Sequence, residues 1–146
     1  MEALVNKKAY FNYEILEKFE AGLKLSGPEV KSVKTGRLSF EGSYISIRGE
    51  EAWWVNATIP AYQPKNAPAG YDPTQPRKLL LKKNELKYLF GRAEERGLTL
   101  LPLRIYNKHG RLKLEIGIAR RRKKHDKREV LKKRAIEHDI SRELRG

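Results

Sequence analysis

The sequence contains no cysteine, one methionine and three histidines, His109, His125 and His138. The missing sulfur excludes disulfide scaffolds, thiol nucleophiles and cysteine-based zinc sites. The histidines fall in a turn, a basic run and a tail segment without HExxH-type spacing, so no metal centre is expected. No G-x-S-x-G elbow occurs, and no glycine-rich phosphate loop of the Walker or dinucleotide kind. The stretch Met1–Lys8 has no apolar segment of signal-peptide length, and no run approaches the ~20 residues of a membrane span. These absences lead to an expectation of a cytoplasmic protein with no metal, cofactor or membrane partner. Little is left for catalysis: Glu50 and Glu51 are neighbours in a turn, where carboxylates are solvated, and a ribonuclease using His125 is the remaining enzymatic alternative.

What the chain has in excess is positive charge. Its 146 residues carry 32 Lys+Arg against 18 Asp+Glu, a formal net charge of +14, while 39% of the residues are still hydrophobic. A packed core and a polyanion-seeking surface therefore coexist in one domain-sized chain. Nucleic acid is the expected partner, because each cation that neutralises a phosphate releases condensed counterions, and an anionic membrane surface comes second. Split at Ala119, the first part has 20 basic and 13 acidic residues and the second 12 and 5, so each carries +7. The excess is thinly spread over residues 1–119, a β-rich body, and concentrated in residues 120–146, a basic tail.

In the body, Tyr13, Ile15, Phe19, Ala21, Leu23 and Leu25 alternate as in a long strand with one buried face, Glu17 being the exception. Ser26-Gly-Pro-Glu29 reads as a capping box opening a short helix over 28–35, closed by Gly36. Ser43–Arg48 and Ala52–Ile59 flank Gly49-Glu-Glu51 as a hairpin, with Trp53 and Trp54 on opposite faces. Five of the seven prolines lie between Pro60 and Pro76, which predicts a long mobile surface loop. Arg77–Leu81 reads as a strand, and Leu86, Leu89, Phe90 and Ala93 mark an amphipathic helix up to Gly97. Leu98–Tyr106 and Arg111–Ala119 form a second hairpin. The order β-α-β-β-β-α-β-β predicts a mainly β fold with small helices, a closed or partly closed antiparallel barrel of the oligonucleotide-binding type.

The tail differs in kind. Between Arg120 and Arg128 no residue is apolar, so nothing drives the segment onto a core, and it is expected to be disordered when free. Further on, Ile136, Ile140 and Leu144 follow at i, i+4, i+8, below Val130 and Leu131, a narrow stripe that can fold as a helix when a partner receives it. On the body, Tyr44, Trp53 and Trp54 are candidates for stacking on bases, with a place in the core as the alternative for each. Glu20 lies opposite the core face of its strand, as a solvated residue, an acceptor for a base amine or a support for a neighbouring Arg.

Six separated motifs, Asn6-Lys-Lys8, Phe19-Glu-Ala-Gly22, Gly27-Pro-Glu-Val-Lys-Ser-Val-Lys34, Asp72-Pro73 with Arg77-Lys-Leu-Leu-Leu81, Gly97–Leu103 and His125-Asp-Lys-Arg-Glu129, stand in the order and spacing of a known family. Through them the chain resembles the bacterial small protein B (SmpB) family. The resemblance implies a non-enzymatic adaptor of trans-translation. Its barrel would bind the tRNA-like domain of tmRNA, and its tail would replace the missing codon and anticodon in the decoding centre and mRNA path of a stalled ribosome. It implies tmRNA binding by Asn6 and Glu20, with Lys7, Lys31, Lys34, Arg77 and Lys78 read as phosphate contacts. Asp126, Lys127 and Arg128 match the decoding-centre motif, beside Lys123, Lys124 and a His125 placed to stack on a base. The chain would act as a monomer in the functional complex. It departs from the family pattern at Arg121, where a hinge glycine is usual, at Gln75, where a basic residue is common, and at Pro28 in place of the more usual Thr. Composition and fold leave one rival, a structural ribosomal protein whose barrel rests on rRNA.

Overall fold

A computed structural model describes the backbone of residues 1–145 and the side-chain surroundings through Arg134. Its elements are β1 (Leu4–Val5), α1 (Lys7–Asn12), β2 (Tyr13–Leu23), α2 (Gly27–Lys34), β3 (Tyr44–Arg48), β4 (Glu51–Val55), β5 (Arg77–Leu80), α3 (Lys83–Glu94), β6 (Leu98–Lys108), β7 (Arg111–Arg121) and α4 (Lys124–Arg145). The strands form one seven-stranded antiparallel sheet in the order β1-β6-β7-β2-β5-β4-β3. β3 comes close to β6, but no ladder joins them, so the sheet curls into a barrel left open along one seam. Tyr44, Phe40, Thr99 and Leu101 line that seam together with α1 residues, around a groove of about 690 Å³.

Both hairpins form, but β4 takes in Glu51 from the expected turn and ends at Val55, before Asn56 at φ 65°, short of the Ile59 that alternation suggests. The second turns through His109 and Gly110, both at positive φ, 52° and 77°, the handedness that matches the twist of the flanking strands. The core fills the inside of the curl: Ala21, Trp54, Ile59, Ile105, Leu114, Ile116 and Ile118 are fully buried. Trp54 is therefore a core residue, Trp53 is half-buried and Tyr44 is 41% exposed, which settles their division.

Two bulges shape the sheet. In β2 the register shifts between Ile15 and Glu17; Glu17 stays in the row of Phe19 and Ala21 but meets α3, accepting from the Tyr88 hydroxyl at 2.6 Å and lying 3.4 Å from Arg92. That explains the exception in the β2 stripe. In β6 the register shifts between Pro102 and Arg104, leaving Leu103 as the extra, wholly buried residue. A Cβ on Gly117 would stand 2.7 Å from the Leu103 side chain, so only glycine lets the bulged leucine lie against β7.

The α2 capping box is present, with Ser26 accepting from the Glu29 N–H at 3.3 Å and Glu29 accepting from the Ser26 N–H at 3.1 Å. The α3 stripe is only partly core: Leu89 is buried and Leu86 half-buried, while Phe90 is 48% exposed and Ala93 open. Where a mobile loop is expected after Pro60, the segment is anchored. Tyr71 donates to the Ile59 carbonyl at 2.6 Å and Arg77 to the Pro73 carbonyl at 2.8 Å.

β1 and α1 are not foreseen in the sequence reading. Asn6 joins them: its side-chain oxygen accepts from the Ala9 N–H at 3.3 Å, and its amide donates to the Pro102 carbonyl at 2.8 Å, beside the bulge. β7 runs on through Arg120 and Arg121, paired with Glu14 and Tyr13, so the first two residues assigned to the tail belong to the sheet. The expected hinge position, Arg121, lies within this pairing, its guanidinium 5.9 Å from the Tyr13 ring. The tail follows as α4, and the side chains of the Ile136, Ile140 and Leu144 stripe lie outside the described residues. Among the described residues no helix is long and apolar enough to cross a membrane.

Candidate nucleic-acid interface

Strand register decides which side chains share the outer face of the sheet, because directly paired residues point to the same side. Leu80 of β5 pairs with Gly22 of β2, Gly22 with Lys113 of β7, and Lys113 with Tyr106 of β6, which makes one outward row. The neighbouring row is Glu20, Glu115 and Arg104. Lys18 lies two residues further along β2, and Lys108 two residues beyond Tyr106 on β6. The result is a broad exposed surface of cations with an aromatic ring and a bare leucine, Leu80 being 54% exposed. That composition suits RNA: cations for phosphates, a ring and an apolar group for bases.

Two carboxylates sit in this cationic field, and both are occupied. Glu115 accepts from Arg104 at 3.3 Å and from the Tyr10 hydroxyl at 3.5 Å, with Lys18 at 3.9 Å. Glu20 accepts from the Tyr106 hydroxyl at 2.5 Å and from the Lys108 ammonium at 3.3 Å. The Tyr106 bond, helped by Lys108, holds the Glu20 carboxyl below its ordinary pKa against the opposing effect of desolvation. Burial and the same hydrogen bond push the Tyr106 hydroxyl up, so it stays a donor. Arg104 lies over the Tyr106 ring, its guanidinium 4.3 Å from the centroid, and Lys18 lies 5.5 Å from the centre of the Tyr10 ring.

Of the body residues named from the sequence, Glu20 is on this face and exposed. Lys7 is exposed on α1, while Asn6 is half-buried with both ends of its amide engaged, so it acts by fixing α1. Lys31 and Lys34 are exposed on α2, a separate part of the surface, with Lys31 lying 5.9 Å from the Tyr62 ring. Lys78 is half-buried and pairs with Glu51 at 3.3 Å.

Arg77 is corrected. It is 2% exposed and cannot reach a phosphate. Its Nε donates to Glu29 at 2.9 Å and its other nitrogens to the carbonyls of Ala57 and Pro73 at 2.6 and 2.8 Å. Burial pushes the Glu29 carboxyl up, but its bonds to the Ser26 N–H and to Arg77 outweigh this and bring its pKa below the ordinary value. Gln75 also turns inward, its amide donating to Glu29 at 3.4 Å. The pair ties α2, the proline-rich loop and β5 together.

The tail motif lies beside α1. Arg122 donates its N–H to the Asn12 carbonyl at 2.8 Å, and Lys127 sits 5.9 Å from the Phe11 ring, half-buried. Lys123, Lys124, His125, Asp126 and Arg128 are exposed. Asp126 accepts from the Lys123 N–H at 3.3 Å, the carboxylate half of a capping box at the start of α4.

Arg104, Tyr106, Lys108, Lys113, Lys18 and Leu80 are interface residues that the sequence motifs do not single out. Alternation on β6 and β7 places Arg104, Tyr106 and Lys113 on the polar face, which was the available signal.

A family model described as "SmpB protein" matches residues 3–146. A protein named "SsrA-binding protein" from a Sulfurihydrogenibium species is 45% identical over 141 residues, covering 97% of this chain and 92% of its own length. Another of that name, from Carboxydothermus hydrogenoformans, is 44% identical over 148 residues, 100% of this chain and 99% of the relative. A solved structure described as "tmRNA-SmpB: a journey to the center of the bacterial ribosome" superposes with a TM-score of 0.70 at 45% identity, covering 84% of this chain and 85% of that one.

Proposed function

The chain belongs to the SmpB family, and from that premise we propose that it is the RNA-binding adaptor of trans-translation, not an enzyme. It binds the tRNA-like domain of tmRNA and brings it to ribosomes stalled without a downstream codon, work we place in the cytoplasm. The observation that carries the body's role is the outward face of β5, β2, β7 and β6, where Lys18, Lys113 and Lys108 surround Tyr106 and Arg104. A folded RNA domain with phosphates on its outside and unstacked bases at its loops matches that composition.

We assign residues 1–119, with the end of β7, to tmRNA, with Lys7 in contact, Glu20 acting on the binding face and Asn6 acting through α1. Residues beyond that strand, including Lys123, Lys124, His125, Asp126, Lys127 and Arg128, are assigned to the decoding centre. Beyond the first turns of α4, which lie beside α1, the tail is taken to be disordered when free and to become helical along the empty mRNA path. Beyond β7 it has 10 basic and 5 acidic residues, and this +5 supports an rRNA-lined destination.

The test is competition binding of the isolated tRNA-like domain against bulk tRNA at two salt concentrations, with the full chain and with a version ending at Lys123. The cut leaves β7 and the Arg122 bond to Asn12 whole. Both versions preferring the tRNA-like domain support a specific site on the body. Preference that disappears with the tail would mean nonspecific polycation binding.

A further inference from the structure

A carboxylate on an RNA-binding face is paradoxical, since it repels the phosphates that its neighbours attract. Glu20 has that position, and its oxygens are already taken. The Tyr106 hydroxyl reaches Oε2 at 2.5 Å, and Lys108 lies 3.3 Å from both oxygens. The opposite strand contributes both partners, 86 and 88 residues away in sequence. We propose that Glu20 is a positioning residue: it fixes the Tyr106 ring and the Lys108 ammonium across β7, and the Tyr106–Arg104 stack, rather than Glu20 itself, is what an unstacked base of the tRNA-like domain meets. This rests on the reading of the outer face given above.

The geometry supports each part. A phenol anchored through its hydroxyl loses rotational freedom, and a preordered ring binds a base with less entropic cost. The Arg104 guanidinium, 4.3 Å from the ring centre, is itself held by Glu115 at 3.3 Å. The two carboxylates, directly paired between β2 and β7, thus brace the two halves of one flat stack. Lys108 is left about half exposed, neutralised toward Glu20 on one side and open to a phosphate on the other.

The test measures affinity of the full chain for the isolated tRNA-like domain. Glu20→Ala is expected to weaken binding about tenfold, and Tyr106→Ala at least as much, within the range of losing one base-stacking contact. Tyr106→Phe should weaken binding in the wild-type background and have no further effect in the Glu20→Ala background, because the single bond it removes is already gone. Glu20→Gln, which keeps an acceptor for the hydroxyl, should stay within about threefold of wild type. In the free protein, Glu20→Gln should also lower the pH at which the Tyr106 phenol ionises, read from its ring carbons by NMR, because the charge that opposes ionisation is gone.

If Glu20→Ala weakens binding while Tyr106→Ala and Tyr106→Phe bind normally, Glu20 touches the RNA itself and the inference fails, while the outer face stands. Additive losses in the Glu20→Ala/Tyr106→Phe double variant would overturn it likewise. If none of these variants, nor Lys113→Ala, changes affinity, the outer face is not the site and the functional reading of the body fails with it.

Discussion

At the scale of single residues, the same charge does opposite jobs according to where the strand turns it. Arg77 and Lys78 are adjacent, yet Arg77 is buried with Leu79 while Lys78 points out. The alternation of Arg77 and Leu79 on one face was readable in the sequence, but the charge suggested a phosphate contact, and the partner Glu29 lies 48 residues away with no local sign of it. Removing one member of a buried pair leaves the other unpaired, so Arg77→Ala should cost about 3–5 kcal/mol of stability in urea unfolding. Arg77→Lys should recover little, since an ammonium cannot serve Glu29 and two carbonyls from one planar fork. The pH dependence has a definite sign. The Glu29 pKa is depressed in the folded state, so its contribution is complete above the ordinary carboxylate value and is lost as pH falls through the lowered one. An NMR titration of the Glu29 carboxyl carbon with its midpoint at or above that of a model glutamate would contradict this pairing.

Among elements, length and periodicity decide what a sequence discloses. β2, β6 and β7 each run to 11 residues, long enough for alternation to fix which face is buried. β1 has 2 residues and α1 has 6, too short for any period to appear, although Asn6 has the side chain of a helix N-cap and does cap α1. The bulges were invisible for a different reason: a bulge is a mismatch between two strands, and neither strand alone records it. Its fit is nonetheless demanding. Gly117→Ala would drive a methyl into the buried Leu103 and should destabilise the protein by about 1–3 kcal/mol, measured from the denaturant midpoint. At the start of α4, Asp126 is the one acid in a run of cations from Arg120 to Arg128, and its bond to the Lys123 N–H gives it a conformational task. Asp126→Ala should therefore reduce helicity in the first turns of α4 by about 0.5–1 kcal/mol, read as faster amide exchange at Lys127–Leu131. Unchanged exchange would leave that acid without a capping role.

For the whole molecule, with Arg120 and Arg121 in the sheet, body and tail carry +9 and +5; both are strongly cationic, so total charge cannot tell the two assignments apart, whereas the form of the loss on mutation can. Body contacts combine phosphate attraction with a shaped surface, so Lys113→Ala should weaken binding to the tRNA-like domain and lower the slope of log affinity against log salt by about one. Replacing Asp126, Lys127 and Arg128 together by Ala removes a net charge of only +1 and touches nothing on the outer sheet face. The affinity for the tRNA-like domain should stay within about twofold, since long-range attraction by exposed charges is screened beyond ~8 Å at physiological salt. Tagging of peptides on stalled ribosomes should nevertheless be abolished, because the segment we assign to the decoding centre would no longer present its charges there. Arg120 and Arg121 belong to the body by this argument, since they are paired with Glu14 and Tyr13. Their substitution should therefore affect stability before tagging. Parallel loss of RNA affinity and of tagging in the Asp126/Lys127/Arg128 variant would show that the tail and the sheet face form a single tmRNA site, and that the two cationic parts act as one.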